Sequence, residues 1–188
     1  IDQVKPAEFD KSKPFAMLCT LLYADSFLGR SLVGRISQGT AKANQQIKAI
    51  NLQREKVDEG RLTKIFRYEG TKKVSIDVGE AGDIVVIAGL KKANVADTIC
   101  DLDVNEPIAA TPIDPPTMSI TITVNSSPLA GIEGKKLTST QIRDRLALEA
   151  QNNVGITFSE HTGKDSFEIS GRGELMIENL LTQMRSLK

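Results

Sequence analysis

Four of the chain's seven prolines fall in one stretch, NEPIAATPIDPPTM, Asn105 to Met118. Proline fixes its own φ, offers no backbone N–H and pushes the residue before it toward extended backbone, so this stretch cannot be helix or inner strand. It predicts an extended connector that divides the chain into two units of different pattern. With 188 residues, each unit is long enough to bury most of its apolar surface without a disulfide or metal staple.

Ahead of the connector, the runs PFAMLCTLLYAD, SLVGRIS, QQIKAINL, RLTKIFRYE, KKVSIDV, DIVVIAG and DTICDL are short and apolar or β-branched. They are divided by LGR, SQGTAKAN, EKVDEG, EGT, GEAG and KKAN. That rhythm predicts a small antiparallel barrel over residues 15–110, filled by Val, Ile and Leu because aromatic residues are only 4% of the chain. Residues 1–14, charged and containing Pro6 and Pro14, read as a linker.

Beyond it, residues 111–188 change class. TMSITITVN alternates Met118, Ile120, Ile122 and Val124 with Ser119, Thr121 and Thr123, which predicts a two-faced strand. Thr138 or Ser139 caps a helix over Thr140–Gln151, with Ile142, Leu146 and Ala150 on one side. VGITFSE and SFEIS then read as strands joined by the turn HTGKD, and Gly173 opens a last helix. The order β-α-β-β-α is a ferredoxin-like α+β unit without its fourth strand. The missing strand belongs beside the first, so Ser119–Val124 should present an open edge that invites another chain.

The 24 Lys and Arg balance the 24 Asp and Glu, which argues against a uniformly basic nucleic-acid domain. Their distribution is uneven. Arg30 to Lys73 holds eleven basic and four acidic residues, Val74 to Ala110 two and seven, so one side can be basic while the whole is neutral. Cys19 and Cys100 stand in apolar runs and read as reduced and buried. No run approaches the roughly 20 apolar residues of a membrane span, and a cytoplasmic location is expected.

Chemistry is sparse. The glycine-rich corner of FEISGRGELMIENLL contains neither a dinucleotide fingerprint nor a P-loop, and Glu174 in the first helical turn opposes a bound phosphate. A structural turn is expected instead, with Gly171 or Gly173 at positive φ. Arg172 at that corner is a solvated side chain, a partner for Glu174, or a contact to a larger assembly. His161 has one carboxylate nearby and no set of partners for a metal or a triad. Asp77, Glu80 and Asp83 flank turns without a matched acid and base. No catalytic residue, metal ligand or cofactor site is expected in this chain.

GRSLVGRISQGTAKANQQI, GEAGDIVVIAGL, SSPLAGIEGKKLTSTQIRDRL and the GRGEL turn together resemble the middle of a translational GTPase of the BipA/TypA group. The likeness runs over nearly all of the chain after about Lys13, and the SSPLAGIEGKKLTSTQIRDRL block is its most specific part. Past Leu175 the chain departs from the group's pattern, with Ile177-Glu178-Asn179 following after only Met176. The resemblance implies a second-domain β-barrel followed by a third, ferredoxin-like domain with a counterpart in elongation factor G. It implies ribosomal RNA and ribosomal proteins as partners, together with the protein's own GTPase and C-terminal domains, and neither membrane nor DNA. GTP and Mg belong to a domain outside this chain, as do the group's GTP hydrolysis and its links to stress adaptation and large-subunit assembly. Arg30, Arg35, Lys42, Lys48, Arg54 and Lys56 are the candidate backbone-directed contacts to small-subunit RNA, with Arg172 beside them. The alternatives are a protein-interaction module that uses the open edge, or a self-contained nucleotide enzyme built on GRGEL.

Overall fold

The computed structural model describes residues 9–25, 28–128, 138–161 and 165–186. It forms two compact units, Ile1–Pro112 and Ile113–Lys188. Residues 129–137, within the SSPLAGIEGKKLTSTQIRDRL block, lie outside the described residues, as do 1–8 of the N-terminal segment and 162–164 of the HTGKD turn.

The first unit is β-barrel-like. Its strands are β1 (Ala16–Asp25), β2 (Gly29–Gln38), β3 (Thr40–Lys42), β4 (Gln46–Ile50), β5 (Lys56–Arg61), β6 (Lys64–Glu69), β7 (Lys72–Ile76), β8 (Val78–Glu80), β9 (Ile84–Ala88) and β10 (Thr98–Cys100). Eight of them form one antiparallel sheet in the order β5-β4-β10-β1-β2-β9-β6-β7, while β3 pairs with β8. The alternating apolar residues of these strands converge, so Leu32, Ile36, Ile47, Ile65, Ile87 and Ile99 are fully buried, together with Leu62 from the link between β5 and β6. Phe15 and Met17 join them, a contribution that the Val, Ile and Leu reading leaves out.

Two expectations change. EKVDEG, read as a divider, supplies most of β5, and Thr40–Lys42 within the earlier divider SQGTAKAN forms β3. β5 lies at the end of the sheet, pairs only with β4 and offers one apolar side chain, Val57, to the core, so its strand character has almost no hydrophobic signature. Gly34 sits mid-strand opposite Cys19, beside the irregularity between Cys19 and Leu21. A Cβ there would stand 2.0 Å from the Leu18 carbonyl oxygen, so the close approach of two backbones requires glycine. Gly29, with φ +71°, does serve the β1–β2 hairpin.

The N-terminal segment lies along this unit from Asp10 onward. Gly39 N–H donates to the Asp10 carbonyl at 2.9 Å, Gln38 Nε2 donates to the Pro14 carbonyl at 3.0 Å, and Lys11 pairs with Glu80.

The second unit contains β11 (Met118–Thr123), α1 (Ser139–Asn152), β12 (Thr157–Glu160), β13 (Ser166–Gly171) and α2 (Glu174–Ser186). Its antiparallel sheet has the order β11-β13-β12. Thr138 is the N-cap of α1 in a capping box with Gln141. Leu146, Ile156, Phe167, Ile169 and Leu180 form the core, and Ile120, Ile122 and Ile142 pack partly buried against it. β11 pairs with β13 on one side, and no strand among the described residues pairs with its other edge. α2 runs unbroken through Met176 and Ile177.

Candidate functional site

The GRGEL corner is held by backbone. Thr117 donates its N–H to the Gly171 carbonyl and its hydroxyl to the Arg172 carbonyl, both at 3.0 Å, which ties the start of β11 to the end of β13. Neither Gly171 nor Gly173 adopts positive φ, contrary to the expectation from sequence. Packing supplies the reason for a small residue at Gly171, where a Cβ would lie 3.3 Å from Ile177 of the helix that follows. At Gly173 a Cβ would meet nothing within 4 Å. Glu174 lies in the first turn of α2, where its charge favours the helix dipole and repels an anion. Arg172 is exposed and its guanidinium has no partner among the described residues.

The six candidate cations of the barrel fall into three groups. Arg30 donates through Nε to the Ala93 carbonyl at 2.6 Å and through a terminal nitrogen to Asn94, so it fastens the loop that leads to β10. Lys48 is buried on β4, with Nζ donating to Asn105 Oδ1 at 2.9 Å, so it fastens the chain beyond β10. Arg54 pairs with Glu106 at 2.8 Å and Lys56 with Glu59 at 3.0 Å. Both pairs are solvent-exposed, so each contributes under about 1 kcal/mol and yields readily to a phosphate. Arg35 is exposed with its guanidinium 5.7 Å from the Phe9 ring centre, and Lys42 is exposed with no side-chain partner among the described residues.

A further cluster escaped sequence reading. Lys73 on β7 places Nζ 2.9 Å from the Tyr23 hydroxyl, 5.3 Å from the Tyr23 ring centre and 4.3 Å from that of Phe66. Tyr68 faces Lys73 across the β6–β7 ladder. Alternation along KIFRYE places Lys64, Phe66 and Tyr68 on one face, but only the ladder register brings Tyr23 to them.

Burial pushes the Cys19 thiol up to about 12, aided by Asp97, and the Cys100 thiol up to about 11, so both stay protonated and unreactive near neutrality. Asp97 is likewise pushed up by burial, against the opposing pull of the Asn94 N–H and Arg30. Asp58 is also raised by partial burial, but its bonds from the Lys92, Lys91 and Glu59 backbone N–H groups outweigh that and hold it low. His161 is exposed, with Nε2 3.6 Å from Glu168. Asp83 accepts from the Glu80 N–H at 2.9 Å, so that pair serves a turn. A cleft of about 500 Å³ in the second unit, lined by Glu149, Asn153, Leu175, Met176 and Asn179 among others, has one ionisable group, and Glu149 is paired with Arg145 at 2.8 Å. Among the described residues no group of three or more His, Cys, Asp or Glu could hold a metal ion, and no helix is long and apolar enough to cross a membrane.

An eight-stranded barrel-like sheet with polar pairs and backbone-held turns offers surface and shape. Residues 29–100 match the family described as elongation factor Tu domain 2, which places the barrel in the translation-factor class. The chain is 39% identical over 185 residues to the large ribosomal subunit assembly factor BipA of Escherichia coli K12, covering 98% of this chain and 30% of that protein. The same-named proteins of Synechocystis and Bacillus subtilis are 37% and 36% identical, covering 98% and 96% of this chain and 31% and 29% of theirs. The chain belongs to the BipA/TypA family, and it spans about a third of the length of these relatives.

Proposed function

We propose that this chain is the ribosome-docking middle part of a BipA-like translational GTPase. Residues 15–110 act as the second-domain barrel and 111–188 as a ferredoxin-like third domain. The barrel presents cations to ribosomal RNA, and both domains relay the nucleotide state of a GTPase domain to distal domains by rotating about the proline-rich connector. GTP and Mg are handled by residues outside this chain, and the protein works in the cytoplasm on ribosomes or their assembly intermediates.

The observation that carries this reading is 36–39% identity, over nearly the whole chain, to proteins named as large ribosomal subunit assembly factors. The exposed Arg35, Lys42 and Arg172 and the weakly paired Arg54 and Lys56 are the cations best suited to reach phosphates. Cosedimentation of the chain with ribosomes and separated subunits tests it. Retention at low salt that declines as salt rises is expected, because each phosphate contact releases counterions. No retention, or retention indifferent to salt, would refute RNA docking. The chain alone should bind no GTP, and clear binding in a titration would favour the self-contained enzyme.

The edge of β11 that no strand among the described residues pairs with supports a second reading, in which a strand from elsewhere in the protein or from a partner extends this sheet.

A further inference from the structure

Residues that face each other across a β-ladder share one face of the sheet. Leu21, Val33, Val86 and Phe66 form one such row across β1, β2, β9 and β6, and Phe66 continues it to Ser75 on β7. Two positions along lies the row Tyr23, Ser31, Ala88 and Lys64. In the other direction, Arg35 faces Ile84 and Tyr68 faces Lys73. This face, opposite the core, carries both of the chain's tyrosines and three cations, Arg35, Lys64 and Lys73, while its middle positions Ser31, Val33, Val86 and Ala88 are buried beneath them. Large apolar groups are open on it, with Leu21 at 64%, Ile84 at 61% and Tyr68 at 48% exposure.

We infer that this face is a platform for single-stranded RNA, taking bases on Tyr68, Leu21 and Ile84 and phosphates on Lys73, Lys64 and Arg35. The inference rests on the reading that the barrel docks on the ribosome, and it names a set of residues that shares only Arg35 with the candidates read from sequence. Charge and placement select the ligand. Protein interfaces are depleted of lysine at their centres, whereas here an ammonium stands amid the aromatic cluster. The Tyr23 hydroxyl and the Tyr23 and Phe66 rings already hold Lys73, so contacting a phosphate costs little further side-chain ordering. Apolar and aromatic surface beside cations is what an unpaired strand needs, since its bases can lie on the former while its backbone follows the latter. In a duplex the bases are stacked on each other and offer no such face.

Fluorescence anisotropy with the 188-residue chain and a labelled single-stranded RNA of roughly 12 nucleotides tests this, with the same sequence as a duplex for comparison. Tighter binding of the single strand is expected. Tyr68→Ala should weaken it about five- to 150-fold, the effect of losing one stacked base, whereas Tyr68→Phe should retain it. Lys73→Gln should reduce the slope of log affinity against log salt by about one, and Arg143→Gln, on α1 of the second unit and paired with Asp144, should leave affinity for this short strand within twofold. Circular dichroism and urea midpoints establish that each variant is folded, and the exposed Ile84→Ser serves in place of Tyr68→Ala if the latter is not. Equal binding of duplex and single strand, or an affinity unmoved by the folded platform variants, overturns the inference. So does a chain that cosediments with ribosomes but binds no RNA strand, a result that points to a ribosomal protein as occupant. Failure of the unmodified chain to cosediment at all would instead strike the ribosome-docking reading itself.

Discussion

Removing the Asp58 carboxylate should loosen the Lys91–Lys92 loop at a cost that can be worked from its contacts. Asp58 Oδ2 accepts the Lys91 and Lys92 N–H groups at 2.6 and 2.7 Å, and Oδ1 accepts the Glu59 N–H at 2.9 Å. A hydrogen bond to a charged group contributes about 1.5–3 kcal/mol, but both lysines are exposed and water can replace much of what is lost. Asp58→Ala should therefore cost about 2 kcal/mol, and Asp58→Asn, which keeps an acceptor but loses the charge, about 1 kcal/mol. The pH dependence has a definite sign. Asp58 is held below its ordinary value in the folded state, so its contribution is complete above the unfolded carboxylate range near pH 4 and disappears as pH falls through the folded value. Urea unfolding followed by circular dichroism reads the stability, and amide hydrogen exchange at Lys91 and Lys92 reads the loop. Unchanged protection of those two amides in Asp58→Ala would refute the reasoning, whatever the global stability.

Other substitutions separate structure from docking. Gly34→Ala must displace the Leu18 carbonyl and should destabilise the first unit by about 2–3 kcal/mol in urea melts. Leu146→Ala empties a fully buried site in the second unit and should cost about 3–4 kcal/mol, seen as an earlier loss of helical signal. Lys48→Gln should lower stability while ribosome cosedimentation at matched folded fraction stays unchanged, because Lys48 is turned to Asn105. Lys42→Gln should do the reverse, weakening cosedimentation at low salt with an unaltered urea midpoint. Cys19 and Cys100 should resist a thiol reagent in native buffer and react together on unfolding, and fast labelling of the folded chain would contradict their burial.

Much of the fold is legible along the chain because the strands that build the core carry period-two alternation and the connector is written in proline. β5 and β3 are not, since an edge strand with one core-facing side chain looks like a charged turn. The candidate docking residues are less legible still. A lysine in a list of basic residues has no address, and Lys48 and Arg30 prove to be internal fasteners while Lys42 and Arg35 face solvent. The GRGEL glycines show the same limit, because one is demanded by packing against Ile177 and not by a left-handed turn.

By itself, then, the order of residues determined the division at Asn105–Met118, the strand-rich and mixed halves, the buried cysteines and the family. Those properties depend on neighbours within a few positions or on similarity of whole segments. Tertiary structure alone decided which cations are spent on the fold, and which side chains share an outward face. Tyr23 and Lys73 are fifty positions apart and meet only because β1, β2, β9, β6 and β7 pair in one register, where a shift of a single residue would turn the alternating side chains to the opposite face.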